Sequence, residues 1–192
     1  MDVISYLLGK NAGGSGGGDL NWSAVGYTVA PQTIIKAYNK AVQIKNNWTE
    51  NSRLYDYKGD KELIIAPVVD TSSKTSFSYF ANSCRNLLEI PLLNTSNVTN
   101  MENAFSSCSV LTTIPVFNTS KVTNMSSMFM YTPKLTNESL DNVLQMCINA
   151  TSYTGTKTLY QLGFRKSDYA VAIIEALPHY QAFIDAGWTI GY

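Results

Sequence analysis

The stretch Asn94-Thr-Ser-Asn-Val-Thr-Asn-Met101 recurs as Asn118-Thr-Ser-Lys-Val-Thr-Asn-Met125, and a looser copy, Asp70-Thr-Ser-Ser-Lys-Thr75, precedes both. The three copies begin 24 residues apart. Pro67, Pro91 and Pro115 keep the same interval, as do Leu63, Leu87, Leu111 and Leu135. Self-similarity at a fixed period of about 20 to 50 residues marks a chain built from stacked supersecondary units.

One period reads Leu-x-x-Ile-Pro, then Asn-Thr-Ser, then Val-Thr-Asn-Met, then Phe and Cys. The two best copies carry Phe105 with Cys108 and Phe129 with Thr132. The earlier copy carries Phe80 and Cys84, with the phenylalanine one residue out of register. The pattern predicts a short strand at Leu-x-x-Ile, a turn at Asn-Thr-Ser, and one helical or 3₁₀ turn near Met and Phe. One such coil cannot bury its apolar side alone, but stacking at about 4.8 Å turns each Leu, Ile, Met and Phe position into an interior column. Corner Asn and Thr side chains are then available to satisfy backbone groups of their own or the next coil. The expected fold is an α/β leucine-rich-repeat solenoid of 24-residue repeats with helical caps at both ends.

Residues 94–129 resemble, almost position by position, the repeats of the BspA-like leucine-rich-repeat family of bacterial surface proteins, which read close to NTSNVTNMSSMFxxCxxLTTIP. The resemblance covers about residues 63–135. It implies a right-handed solenoid and an adhesive or interaction role. Thr132 departs from the family pattern in place of the ladder Cys, and Glu102 and Ala104 interrupt its Met-Ser-x-Met-Phe run.

A stack of coils exposes its core at both ends, so the flanks are expected to cover it. Between Pro31 and Trp48, Ile34, Ile35, Tyr38, Ala41, Val42 and Trp48 recur at helical spacing, with Pro31 near a first-turn position. Further on, Asn137 is suited to N-cap a helix with Leu140, Val143, Leu144, Cys147 and Ile148 on its apolar face, and another helix is expected from Ser167 to Leu177. Residues 156–164 (TKTLYQLGF) and 188–192 (WTIGY) alternate as strands do. NWSAVGY, ending at Tyr27, echoes GWTIGY, ending at Tyr192, which suggests edge strands carrying a Trp anchor, a chance likeness of Gly-Tyr endings being the alternative. The chain therefore divides into an anchor peptide (1–10), a glycine-rich linker (11–18), an N-terminal cap (19–62), the solenoid (63–136), and a C-terminal cap with terminal strands (137–192).

The opening MDVISYLLGK would place Val3, Ile4, Leu7 and Leu8 on one face of a short helix, with Tyr6 beside them. Such a helix is marginal alone in water and needs a partner to be ordered. NAGGSGGG follows, a flexible spacer with a reach on the order of 15 Å. The segment resembles the N-terminal attachment peptides of phage tail-fibre and baseplate proteins, which makes Val3, Ile4, Tyr6, Leu7 and Leu8 an assembly anchor. The same composition also reads as a frayed tail without function or as an engineered Gly-Ser spacer. Val3 to Leu8 follows Asp2 and has no basic flank, so a secretory signal is not expected. No stretch reaches membrane-spanning length.

Of 192 residues, 14 are Lys or Arg and 14 are Asp or Glu, leaving no net charge and no basic patch for nucleic acid. Charged residues make up only 15%, so Asn, Thr and Ser must carry the surface, a composition suited to an extracellular or virion-exposed face. The single histidine, His179, precludes a two-His metal site and is expected on a helix after Pro178, solvated or capping. Of the three cysteines, Cys84 and Cys108 share a repeat position and read as stacked, buried, free thiols. The carboxylates form no paired motif of the kind glycosidases use, and residues 13–18 lack the Lys-Ser or Lys-Thr of a phosphate loop. No enzyme activity and no cofactor are expected.

The candidate ligand-binding face is the outward side of the strand ladder: Leu88, Glu89, Thr112, Thr113, Thr136 and Asn137. The expected function is a non-catalytic structural or binding protein, most concretely a phage tail or baseplate-associated fibre or adhesin component made in the host cytoplasm and carried on the virion. The alternatives are a bacterial cell-surface adhesin and an intracellular scaffold. The partners expected are a larger assembly, reached through residues 1–10, and a host-surface protein or glycan. Self-association into a homo-oligomer is compatible with the sequence, whereas nucleic acid and membrane insertion are not expected.

Overall fold

The computed structural model describes residues 31–191. The anchor residues Val3, Ile4, Tyr6, Leu7 and Leu8, the linker, the Tyr27 segment and Tyr192 lie outside that range. Among the described residues there are four α-helices, α1 (Pro31–Asn46), α2 (Asn137–Asn149), α3 (Val171–Glu175) and α4 (Tyr180–Asp185), and a 3₁₀ turn at Leu54–Tyr57. Between α1 and α2 the chain runs as 24-residue coils lying side by side in parallel. Single-residue parallel bridges join Ile65 to Glu89 and Glu89 to Thr113, and a second set joins Ser76 to Asn100 and Asn100 to Asn124.

The first set of bridges does not lengthen into strands, contrary to the expectation for Leu-x-x-Ile. Pro67, Pro91 and Pro115 follow each bridge closely and have no N–H to continue a ladder. The segment near Met and Phe also differs from expectation, because it forms neither a helix nor a 3₁₀ turn. The N–H groups of Phe77, Tyr79, Ala81 and Ser83 donate to the carbonyls of Asn100, Glu102, Ala104 and Ser106 at 2.7–3.0 Å, and those of Met101, Asn103, Phe105 and Ser107 repeat this one coil on. A helix would spend these donors internally; here alternate donors point along the stack.

Left-handed residues make this possible. Tyr79, Asn103 and Ser127 have φ of 56°, 53° and 54°, and Ser83, Ser107 and Tyr131 have φ of 61° or a degree less. Tyr79 is the third residue of a turn closed by Phe80 N–H on the Phe77 carbonyl (2.9 Å), and Asn103 and Ser127 sit likewise before Ala104 and Met128. Asn and Ser tolerate this region because their short polar side chains bond locally, whereas tyrosine has no such help.

The Asn-Thr-Ser-x-Val-Thr-Asn-Met string is explained side chain by side chain. Asn94 and Asn118 accept from the N–H of Ser96 and Ser120, closing Asx turns, and Asp70 does the same for Ser72. The buried hydroxyls of Thr71 and Thr95 donate to the carbonyls of Asn94 and Asn118 in the following coil. Thr99 and Thr123 donate back to the carbonyls of Thr75 and Thr99. Asn100 and Asn124 hold the N–H of Glu102 and Ser126, and Met101 and Met125 enter the core.

The interior is a set of columns. Leu63, Leu87, Leu111 and Leu135 form one, and Ile90 and Ile114 another. In the 24-residue register Phe80 shares its column with Ala104 and Met128, while Ala81 shares its own with Phe105 and Phe129; all six are buried. Aromatic bulk thus shifts between adjacent columns from coil to coil, which accounts for the phenylalanine offset. Cys84, Cys108 and Thr132 form a further column. Cys108 Sγ donates to the Ala81 carbonyl, and Thr132 Oγ1 donates to the carbonyl of Phe105, the equivalent residue one coil later (2.8 Å). The departure from the cysteine pattern therefore keeps the donor. Thr132→Val is expected to cost about 1–2 kcal/mol by orphaning the Phe105 carbonyl, with Thr132→Cys closer to wild type, as urea unfolding would register.

At the N-terminal end, α1 buries Ala37, Ala41 and Ile44, with Tyr38 and Val42 half-buried; the side chains of Ile34 and Ile35 lie outside those described. Trp48 falls beyond the helix. Its ring packs edge-on to Phe80 (6.0 Å) and its Nε1 donates to the Asp70 carbonyl. Leu54 is buried against the first coil, where its carbonyl accepts from Cys84 Sγ. Lys40 pairs with Asp60 at 2.7 Å. Burial raises the Asp60 carboxyl, but the hydrogen bonds from Lys40 and the Glu62 N–H outweigh it and hold the group below its ordinary value.

At the other end α2 lies against the last regular coil. Its N-cap is Thr136, whose Oγ1 accepts from Ser139 N–H, and not Asn137. Ser139 Oγ accepts the Ile114 N–H, Asn142 donates to the Ile114 carbonyl, and Thr119 Oγ1 donates to the Met146 carbonyl at 2.6 Å. Helix α3 covers only Val171–Glu175, since residues 167–169 are turn and bend and Ala170 is its N-cap. Residues 156–164 are not a strand. A single bridge, Thr158 to Thr189, is followed by turns whose Gln161 and Leu162 carbonyls accept from Ser127 and Phe129. The 188–191 segment likewise contributes only that bridge, with Trp188 buried and stacked on Tyr153 (5.0 Å).

Candidate functional site

The six residues of the candidate face come together along one edge of the stack. Leu88, Thr112 and Thr136 form one column and Glu89, Thr113 and Asn137 the next. Leu88 N–H donates to Ile64, Thr112 N–H to Leu88, and Thr136 N–H to Thr112, at 2.7, 2.9 and 3.0 Å. Leu88, Thr113, Thr136 and Asn137 are exposed, and Glu89 and Thr112 half-buried.

Exposure is not the same as availability. Thr112 Oγ1 donates to the Leu88 carbonyl (3.1 Å), and Thr136 Oγ1 bonds both the N–H and the hydroxyl of Ser139. Those two threonines serve the fold. Besides Thr136, the exposed residues of this face are Leu88, Thr113 and Asn137, with Thr113 Oγ1 3.4 Å from Thr112 Oγ1.

The structure adds surface features that the sequence reading left out. Val68 and Leu92, each just after a repeat proline, are exposed at 43% and 65%, and Val116 continues their column half-buried. The 24-residue register carried that signal, since all three positions are apolar. Tyr79 and Tyr131 stand outward from left-handed backbone, and Arg165 lies 4.4 Å over the Tyr131 ring with a hydrogen bond to its hydroxyl.

His179 is the N-cap residue of α4 but does not cap it with its side chain. Its N–H donates to Asp141 Oδ1 (2.9 Å) and its Nδ1 lies 2.7 Å from Asp141 Oδ2, tying α4 to α2. Asp141 is one of the few buried charged residues. Cys84, Cys108 and Cys147 are free and buried; burial pushes the Cys108 thiol up to about 12 and raises the other two as well. A thiol so held is a poor nucleophile at neutral pH. Among the described residues, no three His, Cys, Asp or Glu side chains are placed to hold a metal ion, and no helix is long and apolar enough to cross a membrane.

A family model described as "Mycoplasma protein of unknown function, DUF285" matches residues 69–160, from the first regular coil into the C-terminal turns. No curated protein and no solved structure matches the chain.

Proposed function

We propose that this chain is a non-catalytic binding module, a short right-handed α/β leucine-rich-repeat solenoid with helical caps, that serves as a phage tail or baseplate-associated fibre or adhesin component. Residues 1–10 tether it to the larger assembly, and the repeat edge bearing Leu88, Thr113 and Asn137 meets a host-surface protein or glycan. The observation that supports a binding role is the repetition itself. The 24-residue stack sets outward side chains in columns, giving an extended surface on a scaffold in which, among the described residues, no buried side-chain N or O atom lacks a hydrogen-bond partner.

Purified particles provide the test. Mass spectrometry is expected to find the chain in virions, and deleting residues 1–18 is expected to leave folding unchanged while abolishing incorporation. Incorporation of the truncated chain would overturn the tether. A second reading is a BspA-like bacterial surface adhesin; the matching family model carries a bacterial genus in its description and assigns no function. That reading requires the chain in the surface fraction of uninfected cells.

A further inference from the structure

Between the segment after α1 and the first regular coil lies a shallow cleft of about 490 Å³, lined by Asn51, Arg53, Thr75, Ser76, Ser78 and Tyr79, with Ser73, Glu50 and Lys74 beside them. Its size falls within the range of roughly 300–1,000 Å³ typical of small-molecule sites. Its lining is mostly polar. Four hydroxyl side chains and an amide converge on one concavity. The charges balance in number: the carboxylates of Glu50 and Asp56 offset Lys74, which is buried and donates to the Glu50 carbonyl, and Arg53, which lies 3.9 Å from the Asp56 carboxylate. That leaves little field for an anion. The lining is too polar for an apolar side chain.

Tyr79 is the second observation. It is 43% exposed and held at φ 56°, where the next two coils place Asn103 and Ser127. A large aromatic residue in left-handed backbone, turned to solvent at the rim of a polar cleft, contributes nothing to the stack that asparagine would not contribute better. Its ring offers a flat, electron-rich face.

A flat ring beside a cluster of neutral hydrogen-bonding groups matches a pyranose, which has an apolar C–H face and a rim of hydroxyls. We propose that this cleft is a saccharide-binding subsite, in which Tyr79 stacks on the sugar ring while Asn51, Arg53 and the hydroxyls of Thr75 and Ser78 read its hydroxyl groups. The inference deepens the host-surface reading above by giving it a ligand class and a place on the molecule away from the Leu88 edge.

The test uses the full chain, ¹⁵N-labelled and titrated with cellotriose, maltotriose, chitotriose and mannotriose up to about 20 mM, the weak end of carbohydrate recognition. At least one trisaccharide is expected to shift the amides of residues 73–79. Tyr79→Asn, which suits the backbone, is expected to stay folded and weaken that binding roughly tenfold or more, whereas Tyr79→Phe retains it. Absence of binding by all four sugars, shifts confined to other residues, or an unchanged affinity in Tyr79→Asn would each overturn the subsite. Sugar binding by a chain missing from purified particles would leave the subsite standing and sink the phage reading. Virions that carry the chain and adsorb normally with Tyr79→Asn, with no sugar bound, would do the reverse.

Discussion

Phe105→Ala is expected to destabilise the protein by about 3–5 kcal/mol, the upper part of the range for large-to-small core substitutions. Phe105 is fully buried, and its ring lies 5.6 Å from those of both Phe117 and Phe129. From Phe129 the contacts continue to Phe164 and Tyr169, so one file of rings joins the regular coils to the C-terminal region. The cost is set by how far the surroundings can relax into the space left. Here they relax little, because the Phe105 N–H is fixed to the Met128 carbonyl and the flanking N–H groups of Asn103 and Ser107 are fixed to the same neighbouring coil. A loss of that size is a large share of the stability of an ordinary domain. Urea unfolding would measure it, with Phe105→Leu as the smaller perturbation at roughly 1.5 kcal/mol or less. A cost below about 1 kcal/mol for the alanine variant would mean that the ring file does not hold the coils together.

How much of this could be read from the chain depended on whether a position repeats. Residue type is kept where a position does the same work in each coil: Leu87 and Leu111 fill the core, Asn100 and Asn124 hold the N–H two residues on, and Thr95 and Thr119 donate to the backbone packed against them, the Asn118 and Met146 carbonyls. Those are the residues that carry the 24-residue period in the sequence. The turns at Tyr79, Asn103 and Ser127 escaped notice because left-handed backbone announces itself through glycine, and no glycine stands at any of them. Their signature was the placement of donors at alternate residues, which has no composition of its own.

The candidate face shows the same limit. Flanking the buried Leu and Ile positions was enough to place Leu88, Thr113 and Asn137 outside. It could not reveal that the hydroxyls of Thr112 and Thr136 are taken by a carbonyl and a helix N-terminus. The Asp141–His179 contact spans 38 residues and depends on how α4 packs on α2, so nothing local encodes it. In the C-terminal region the period stops, and alternation in TKTLYQLGF suggested a strand where buried Leu159, Leu162 and Phe164 in fact sit on consecutive turns.

Gly163→Ala is the second substitution expected to have a large effect, and it tests how that region closes the stack. Ser127 N–H reaches the Gln161 carbonyl and Phe129 N–H the Leu162 carbonyl, both at 2.8 Å. These two bonds continue the coil-to-coil ladder across the extra chain that α2 inserts. Gly163 ends the turn that presents both carbonyls, with φ +97°. A Cβ there would lie 2.5 Å from the Met130 amide nitrogen and 2.7 Å from its Cα, so backbone must move against backbone. Strain and clash together are expected to cost about 3 kcal/mol or more. Gly187→Ala separates the two terms: its φ is +83°, but an added Cβ comes no nearer than 4.0 Å to Lys157 Cδ, so only the conformational cost of about 1 kcal/mol should appear. In hydrogen exchange, Gly163→Ala should expose the amides of Ser127 and Phe129 while those of Phe77 and Ala81, bonded between earlier coils, keep their protection. Equal costs for the two alanine variants, or a loss of protection spread evenly over all coils, would show that the C-terminal turns do not close the stack through this contact.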